Sequence, residues 1–389
     1  MSSRADGKST LHTLQLGLEW FAEIPGGLNR VYGHLLQELA TQDVESYGLV
    51  AGSPAVERLS GGLAHAFAAP GAPMLARLRA LRGAALPWLL AHRGDGVIVS
   101  HFALHALPLV DQLHRHPFVV HFQGPWGDES RLEGEDRITV LQKQLVERLV
   151  YRRADAAIVL STAFADVLAT RFGVRRDRIH VIPGGVEAAR YDHSRSRADC
   201  RAELGWPTDR PVVLCVRRLV RRVGVDTLIE AAVDVRRRVP EALVLIAGSG
   251  PIRAELEARV GALGLGDTVR FLGFLPDALL PLAYRAADLT VVPTIALEGF
   301  GLITVESLAA GTPCVVTPVD GLSEIVAPLA PQLITASSRA GDIADALAGC
   351  LLGERPLPAA RDCAHYARAN YDWPVVAARV RTVYERART

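Results

Sequence analysis

Short apolar runs rich in β-branched residues alternate with longer segments of helical period along most of this chain. The strand-length runs are LHTLQL, SYGLVAG, GVIVSHF, FVVHFQG, AAIVLS and IHVIPGG in the first half, and PVVLCV, ALVLIAG, TVRFLG, LTVVPT and PCVVTP in the second. Between them lie helix candidates such as GLNRVYGHLLQELA and ITVLQKQLVERLVYRRA. This alternation predicts βαβ units and parallel sheets, whose ligands bind at the carboxyl ends of the strands. Because 389 residues are too many for one core, we predict two doubly wound α/β domains in series.

The boundary between the two domains is predicted in a polar stretch, residues 184–211, that ends in a Trp-Pro turn. We place the first domain at 1–185, a linker at 186–205 and the second domain at 206–370. The remaining segment, 371–389, is predicted to be an amphipathic helix. Its apolar face consists of Trp373, Val376, Val380, Val383 and Tyr384.

The composition argues against several classes of function. The formal net charge is +1, so no global field favours nucleic acid, and an aromatic content of 6% leaves no basic and aromatic interleaving for stacking bases. The five cysteines have no C-x-x-C spacing, which is typical of reduced thiols rather than of disulfides or a zinc site. The start, MSSRADGKST, lacks the apolar core of a signal peptide, and no run approaches the roughly 18 apolar residues of a membrane span. We therefore expect a cytoplasmic protein without a transmembrane segment or a nucleic-acid partner.

One segment, residues 74–93, mixes leucines with Arg77, Arg79 and Arg82 and could suit a membrane surface. Amphipathic helices that pack on their own domain have the same pattern. We expect this segment to pack on the first domain, and we expect no peripheral membrane contact.

The stretch TIALEGFGLITVES places two carboxylates, Glu298 and Glu306, in an otherwise apolar run. Gly299 and Gly301 let the backbone approach a ligand closely, and the helix that starts near Gly301 or Leu302 offers unpaired N–H groups to an anion. Glu306 lies about five residues into that helix, or ~7.5 Å along its axis. That distance suits the span from a phosphate to the ribose of a nucleoside diphosphate. A carboxylate can accept hydrogen bonds from both hydroxyls of such a ribose. Glu298 would then face whatever is attached beyond the phosphates.

Other candidates for phosphate binding lie at strand ends upstream. VRRLVRRVG follows a strand directly and supplies guanidinium groups that can bind phosphate oxygens in bidentate fashion. Two glycine turns, AGSGP in the second domain and IPGGLNR in the first, precede helices. The residues concerned are Arg217, Arg218, Arg221, Arg222, Gly248, Gly250, Gly26 and Gly27.

Together these features resemble the retaining family 4 glycosyltransferases. The stretch VVPTIALEGFGLITVESLAAGTPCVV matches their signature of two glutamates with seven residues between them, a Gly-Phe-Gly and a Gly-x-Pro-x-Val strand entry. AGSGP, YRAADLTVVP, RLVRRVGVDTLIEA, GGLNR and VIPGGVE support the resemblance, which covers nearly the whole chain. The resemblance implies the GT-B architecture: two Rossmann-like domains with a cleft between them, and a final helix that crosses back onto the first domain.

The resemblance also implies roles for single residues. Glu298 would contact the sugar of a nucleotide-sugar donor, and Glu306 would bind its ribose. The amides at Gly301 and the side chain of Arg218 would hold the diphosphate, and Gly27 would close the site from the other domain. Glu298 and Arg218 are the expected catalytic residues. The full set expected to bind the donor is Gly26, Gly27, Arg218, Arg222, Gly248, Gly250, Glu298, Gly299, Phe300, Gly301, Leu302, Ile303 and Glu306.

The chain departs from the family pattern at two places. A lysine common in the family is replaced by Val223, so Arg221 or Arg222 would have to supply the charge. A common histidine is replaced by Gln123, which can hydrogen-bond a sugar hydroxyl but carries no charge. His121 lies two residues earlier and would point to the same side of the strand, although it and His101 equally suit a buried core. The residues expected on the acceptor or sugar side are His101, His121, Gln123, Asp128 and Glu129.

The implied reaction is transfer of a sugar, with retention of anomeric configuration, from a nucleotide-diphosphate sugar, with UDP expected as the nucleotide. No metal and no cofactor beyond this co-substrate are expected. The acidic segment GDESRLEGEDR favours a small cationic acceptor, such as an aminocyclitol or aminosugar of antibiotic biosynthesis, although its carboxylates also suit a solvated helix start. The alternatives are a glycosyltransferase of polysaccharide or glycolipid assembly, an epimerase or phosphorylase on the same fold, and a non-catalytic two-domain sugar-binding protein.

Overall fold

The computed structural model describes residues 10–24, 26–191 and 194–389. The strands in these ranges are β1 (Leu11–Glu19), β2 (Val44–Ala51), β3 (Ala64–Ala68), β4 (Val97–Ser100), β5 (Phe118–Phe122), β6 (Ala156–Val159), β7 (Ile179–Val181), β8 (Val212–Val216), β9 (Leu243–Ala247), β10 (Val269–Gly273), β11 (Leu289–Val292) and β12 (Cys314–Val316). The α-helices are α1 (Gly27–Ala40), α2 (Val56–Leu59), α3 (Met74–Ala91), α4 (Ala103–Ala106), α5 (Trp126–Leu132), α6 (Arg137–Tyr151), α7 (Thr162–Phe172), α8 (Arg197–Leu204), α9 (Val225–Arg238), α10 (Arg253–Ala262), α11 (Leu280–Ala286), α12 (Leu302–Ala309), α13 (Gly321–Val326), α14 (Ala340–Leu351), α15 (Ala360–Tyr371) and α16 (Trp373–Arg388).

The described strands form two parallel sheets, which confirms the predicted pair of α/β domains. One sheet has the strand order β3-β2-β1-β4-β5-β6-β7, and the other has the order β10-β9-β8-β11-β12. Neighbouring strands are parallel throughout both sheets. Each predicted run contains a strand of the structure. The edge strand β3 was not predicted, because its sequence, AHAFA, is mostly alanine and lacks β-branched residues.

Helices cover both faces of the first sheet, which is why its central strands are almost continuously apolar. On one face α3, α6 and α7 contribute Leu81, Val150 and Phe164 to a core shared with the strands. On the other face α1 and α16 pack through residues that include Leu35 and Val380. With both faces covered, the carboxyl ends of the strands are where loops remain free to form a site.

The final helix, α16, packs on the first domain although it follows the second in the chain. It shares a core with β4, β5 and β6. A Cβ at Gly185 would lie 2.4 Å from the Trp373 ring, so only glycine allows the chain to cross there. The apolar face of α16 is buried and comprises Trp373, Val376, Val380, Val383 and Tyr384.

The span predicted as a linker, residues 186–205, contains helix α8, which packs on the second domain. Cys200 is buried in the core of that domain. The guanidinium of Arg201 donates to the Ala286 carbonyl at 2.9 Å and to the Asp288 carboxylate at 2.5 Å. The second domain therefore begins before residue 206.

The basic and apolar segment at 74–93 forms α3. Leu81, Ala85 and Leu89 of this helix are buried against the first domain, as expected. Within the ranges that the structure covers, no helix is both long enough and apolar enough to cross a bilayer.

Candidate functional site

The helix α12 begins at a glycine whose backbone no other residue would adopt easily. Gly301 has φ of 86°, in the left-handed region, and a Cβ there would lie 2.3 Å from Leu322. The first turn of α12, from Leu302, therefore starts abruptly after the loop. The Thr304 N–H already donates to the Gly301 carbonyl at 2.8 Å, so the N–H groups of Leu302 and Ile303 are the ones that lack a carbonyl partner within the helix, and the helix dipole is positive at this end. The start of α12 can accept an anion, as the sequence predicted.

The loop before α12 packs tightly against the first domain. A Cβ at Gly299 would lie 2.5 Å from the ring of Phe164 in α7, so the first domain approaches this loop as closely as a glycine allows. Phe300 is buried, with its ring 5.7 Å from that of Tyr371, and it also fills the space beside Gly184. These contacts hold the start of α12 at the boundary between the domains.

Glu306, five residues into α12, is buried and paired with a residue of the first domain. Its Oε1 accepts a hydrogen bond from Arg30 of α1 at 2.9 Å, and its Oε2 accepts one from the Tyr284 hydroxyl at 2.7 Å. Arg30 also donates to Asp277 at 2.6 Å. Burial raises the pKa of Glu306, and the Arg30 charge opposes that rise. One arginine from α1 thus bridges two carboxylates of the second domain.

Glu298 lies in the loop before α12 and is held by Thr294 of the same loop and by groups from two other segments. Its Oε2 accepts hydrogen bonds from Arg217 at 2.5 Å and from Thr294 at 3.1 Å. Its backbone N–H donates to Asp320 at 2.9 Å. Asp320 has a φ of 43°, a strained value for a residue with a side chain. Burial and the neighbouring Glu298 charge raise the pKa of the Asp320 carboxyl group.

The four arginines after β8 point in different directions. Arg217 is nearly buried and binds Glu298. Arg218 is exposed. Burial raises the pKa of Glu129 in the first domain, and the charges of Arg222 and, to a smaller extent, Arg218 oppose that rise. Arg221 pairs with Glu255 on the surface, at 2.9 and 3.0 Å. Arg222 donates to the Leu297 carbonyl at 2.8 Å and lies 3.7 Å from Glu129 of the first domain. Of the two candidates for the missing lysine charge, the structure therefore places Arg222 at the cleft and Arg221 away from it.

The glycine turn after β9 supports the arginine loop. A Cβ at Gly248 would lie 1.9 Å from the carbonyl oxygen of Arg217, and one at Gly250 would lie 2.2 Å from that of Leu219. The Leu219 N–H donates to the Ser249 carbonyl at 2.8 Å. These glycines let two loops pack backbone to backbone, which fixes the position of the arginines.

The first-domain glycines stand at the start of α1. Gly26 precedes the helix, Gly27 is its first residue, and both are exposed. A Cβ at Gly27 would meet no atom within 4 Å, so there is open space beside it. Arg30 follows on the same helix, so the pair lies near the residue that reaches Glu306.

His101 and His121 are buried inside the first domain rather than exposed to the cleft. Their rings stack at 4.2 Å, and they are 2% and 6% exposed. His101 Nε2 pairs with Gln15 at 2.9 Å, and His121 Nε2 pairs with the hydroxyl of Tyr384 in α16 at 2.6 Å. Burial lowers the pKa of both, that of His121 to about 3, so both rings are neutral. The sequence left open whether these histidines face the cleft or the core. The structure places both in the core, because α16 covers this face of the sheet.

The loop after β5 is anchored by a buried acid. Glu147 of α6 accepts the N–H groups of Trp126 and Gly127 at 2.8 and 3.1 Å. Burial raises the pKa of Glu147 to about 7. Gln123 lies just before this anchor, half-buried, and its Nε2 is enclosed without a protein hydrogen-bond partner in the described part of the chain. The amide of Gln123 thus keeps one donor group that the described protein leaves unpaired.

The acidic segment after this loop is less charged toward the cleft than the sequence suggested. Asp128 is buried and paired with Arg171, with Arg131 3.5 Å away. Asp136 caps α6 by accepting the N–H groups of residues 138 and 139 at 3.0 Å. Glu129 alone faces the second domain, where Arg222 is its nearest cation. The prediction that Asp128 presents a free charge to the acceptor is wrong, because two arginines of the first domain neutralise it.

In another contact between the domains, the side chain comes from the second domain and reaches the first, whereas Arg30 reaches from the first domain to the second. Glu324 of α13 accepts the N–H of Thr162 at 2.8 and 3.0 Å and that of Ala163 at 3.3 Å, at the start of α7. The cleft in this structure is therefore closed around the start of α12. Sequence reasoning missed Arg30, Tyr284 and Asp320 as members of the site, and it assigned Arg217 to phosphate, whereas the structure pairs Arg217 with Glu298. Arg30 and Tyr284 lie within the quoted motifs GGLNR and YRAADLTVVP, but nothing local to those motifs relates them to Glu306.

Two parallel α/β domains, with carboxylates and a helix start at the strand ends of the second facing the first, form the GT-B architecture. The chain belongs to the group 1, family 4 glycosyltransferases. The family model for glycosyl transferases group 1 matches residues 196–370, and that for glycosyltransferase family 4 matches residues 25–190.

Similar proteins of known name include several sugar transferases. A D-inositol 3-phosphate glycosyltransferase of Nocardia farcinica is 38% identical over 222 residues, which are 55% of this chain and 49% of that protein. An alpha-D-kanosaminyltransferase of Streptomyces kanamyceticus is 30% identical over 238 residues, 58% of this chain and 61% of that protein. The chain thus spans only about half to three fifths of the length of these relatives. Anabaena HepE, solved in complex with UDP and glucose, has a TM-score of 0.78 and 20% identity over 97% of this chain and 100% of that one, which shows the shared fold.

Proposed function

We propose that this protein transfers a sugar from a nucleotide-diphosphate sugar, with UDP as the nucleotide, to a hydroxyl group of an acceptor, with retention of anomeric configuration. The observation that carries the proposal is the spacing of two carboxylates on either side of one helix start. Glu306 lies along α12 and Glu298 lies before it, with the turn at Gly301 between them. A ribose, a diphosphate and a sugar can occupy these three positions in order.

In this arrangement the diphosphate binds at the start of α12. The helix dipole and the guanidinium groups of Arg218 and Arg222 meet the charge that grows on the phosphate as its bond to the sugar breaks. These cations support a reaction that needs no metal ion. Ribose hydroxyls donate to Glu306, and sugar hydroxyls contact Glu298.

The state of Glu298 supports a retaining reaction without an enzyme nucleophile. Its Oε2 is already bound by Arg217 and Thr294, and pairing with the Arg217 charge makes the carboxylate a weaker nucleophile. The acceptor oxygen forms its bond to the anomeric carbon on the face from which the phosphate departs. The bond from that carbon to the phosphate oxygen breaks, and the acceptor proton passes to the departing phosphate.

For the acceptor we propose a small amine-bearing molecule, such as an aminocyclitol or aminosugar of an antibiotic pathway. Glu129 is the carboxylate that supports this choice, since it faces the cleft beside Arg222. The similarity to a kanosaminyltransferase agrees with it. A glycosyltransferase of polysaccharide or glycolipid assembly is the second candidate. It is favoured by a row of exposed leucines on α6.

A panel of UDP-sugars and GDP-sugars, each with amine-bearing and neutral acceptors, tests the reaction. We expect turnover that survives EDTA, and a product whose anomeric proton coupling in NMR matches that of the donor. Inversion, or an absolute requirement for Mg²⁺ or Mn²⁺, would refute the mechanism. Binding of nucleotide sugars with neither transfer nor hydrolysis would instead indicate a non-catalytic sugar-binding protein.

The acceptor class has its own test. If Glu129 attracts the amine, Glu129→Gln should raise KM for amine-bearing acceptors severalfold without weakening UDP binding, because loss of the carboxylate beside Arg222 favours an anion there. The rise should shrink at high salt, because exposed charges are screened over about 10 Å at 0.1 M. Glu133→Gln, on an exposed residue of the same segment, is the matched control. Equal KM values for amine-bearing and neutral acceptors in all three proteins would exclude this role of Glu129.

A further inference from the structure

Helix α6 of the first domain carries a row of apolar side chains that nothing in the described structure covers. Ile138, Leu141, Leu145 and Leu149 are 70%, 64%, 68% and 36% exposed, and we call them the α6 stripe. Their spacing of three, four and four residues places them on one face of the helix. The opposite face is already buried in the domain through Val140, Glu147, Val150 and Tyr151. The residues of the α6 stripe therefore take no part in the core of the domain.

The exposed charges on α6 and at its C-terminal end are mostly positive. Along α6, whose residues are all described, Glu147 is the one acidic side chain, and it is buried. The exposed cations are Arg137, Arg148, Arg152 and Arg153. The last three donate to backbone carbonyls, those of Arg171, Phe172 and Leu149, so no carboxylate neutralises their charge there.

The acids of the preceding turn do little to offset these cations. Glu135 is paired with Lys143 at 2.5 Å, and Asp136 is engaged in capping α6. Glu133 remains exposed at the far end of the turn, before the helix. The surface that α6 presents thus combines protruding leucines with unneutralised arginines.

We propose that α6 docks the protein on an anionic lipid surface. Leucine side chains that are about two-thirds exposed protrude from the domain rather than line a groove, and such side chains can enter the boundary between headgroups and acyl chains. Each nearby arginine adds attraction to anionic headgroups. A second copy of the chain is disfavoured as the occupant, because two α6 stripes packed together would bring eight arginines into one interface, four from each copy.

This inference departs from what the sequence predicted. Sequence reasoning considered α3 as the membrane-facing candidate and expected no peripheral contact, and α3 does pack on its domain. The inference concerns an independent surface, and it holds whether or not the proposed transfer reaction is correct. Docking on a membrane would suit the second candidate function, polysaccharide or glycolipid assembly, because it would bring the enzyme close to membrane-anchored acceptors.

Vesicle flotation tests the proposal with the full chain. The probes are vesicles of phosphatidylcholine alone and of equimolar phosphatidylcholine and phosphatidylglycerol. We expect binding to the anionic vesicles that falls as salt is raised, and little binding to the neutral ones. Leu141→Gln combined with Leu145→Gln should reduce the bound fraction about tenfold or more, because two apolar side chains lose their burial.

Two further double variants serve as a control for the leucines and as a test of the arginines. Leu279→Gln combined with Leu352→Gln removes two exposed leucines from the second domain and should bind like the wild type. Arg148→Gln combined with Arg152→Gln should lose the preference for anionic vesicles. Circular dichroism reports whether each variant is folded. The proposal fails if the wild type binds neither kind of vesicle, or if the Leu141→Gln, Leu145→Gln variant binds as well as the wild type. It also fails if sedimentation shows that the wild type is a dimer and that this double variant is a monomer.

Discussion

Replacing Glu306 by glutamine tests whether this residue binds ribose. A carboxylate offers about four acceptor positions, and Arg30 and Tyr284 each use one of them in the structure. About two positions remain, which matches the two hydroxyls of a ribose. Hydrogen bonds to a charged group contribute about 1.5–3 kcal/mol. Glu306→Gln should therefore weaken UDP binding by roughly 10- to 150-fold.

Isothermal titration with UDP and with 2′,3′-dideoxy-UDP measures this contact directly. Removal of the two hydroxyls should weaken binding to the wild type by a similar factor, and should have little further effect on Glu306→Gln. The coupling between the two changes isolates the contact from any effect on folding. Glu255→Gln, which removes a surface partner of Arg221, should leave both affinities unchanged. Independent, additive losses from the dideoxy ligand and from Glu306→Gln would refute the ribose assignment.

Three further predictions follow from the same geometry. Glu298→Gln should lower kcat more than it raises the Kd for UDP, since the residue faces the sugar; an equal change in both, measured by kinetics and titration, would contradict that role. Arg222→Ala should weaken UDP binding severalfold whereas Arg221→Ala should not; unchanged binding in the double alanine variant would show that neither arginine takes part. Burial raises the pKa of Glu147 to about 7 in the folded protein, above its unfolded value near 4.5. The protonated side chain therefore stabilises the folded state fully below about pH 4.5, and this stabilisation is lost as pH rises through 7. The free energy of unfolding should fall by up to about 3 kcal/mol over this range. Urea unfolding between about pH 5 and pH 8 should show a smaller fall for Glu147→Gln than for the wild type, and equal slopes would argue against the shift.

The segment at the start of α12 could be predicted from the sequence because it is continuous. Glu298, Gly301 and Glu306 lie within nine residues, so local rules for strand ends, glycine turns and helix starts were enough to relate them. The partners of these residues come from elsewhere. Arg30 is 276 residues away from Glu306, and only the packing of one domain against the other brings the two together.

The histidines of the first domain show why the sequence alone could not tell cleft residues from core residues. The period of a strand tells which residues share a side, but it does not tell which side faces a core. His121 is buried because Tyr384 of α16 lies over it, and that helix comes from the far end of the chain. Asp128 is a similar case, since its charge depends on Arg171 in a different helix.

Two contacts across the cleft, the ion pairs of Arg30 and the hydrogen bonds that Glu324 accepts from backbone N–H groups, have a consequence for the rate of substrate entry. Arg30 extends from the first domain to carboxylates of the second, and Glu324 extends from the second to the start of α7 in the first. Any opening wide enough to admit a nucleotide sugar must separate both contacts together. The association rate of the donor should then increase with ionic strength, whereas simple attraction of an anionic donor to arginines would make it decrease.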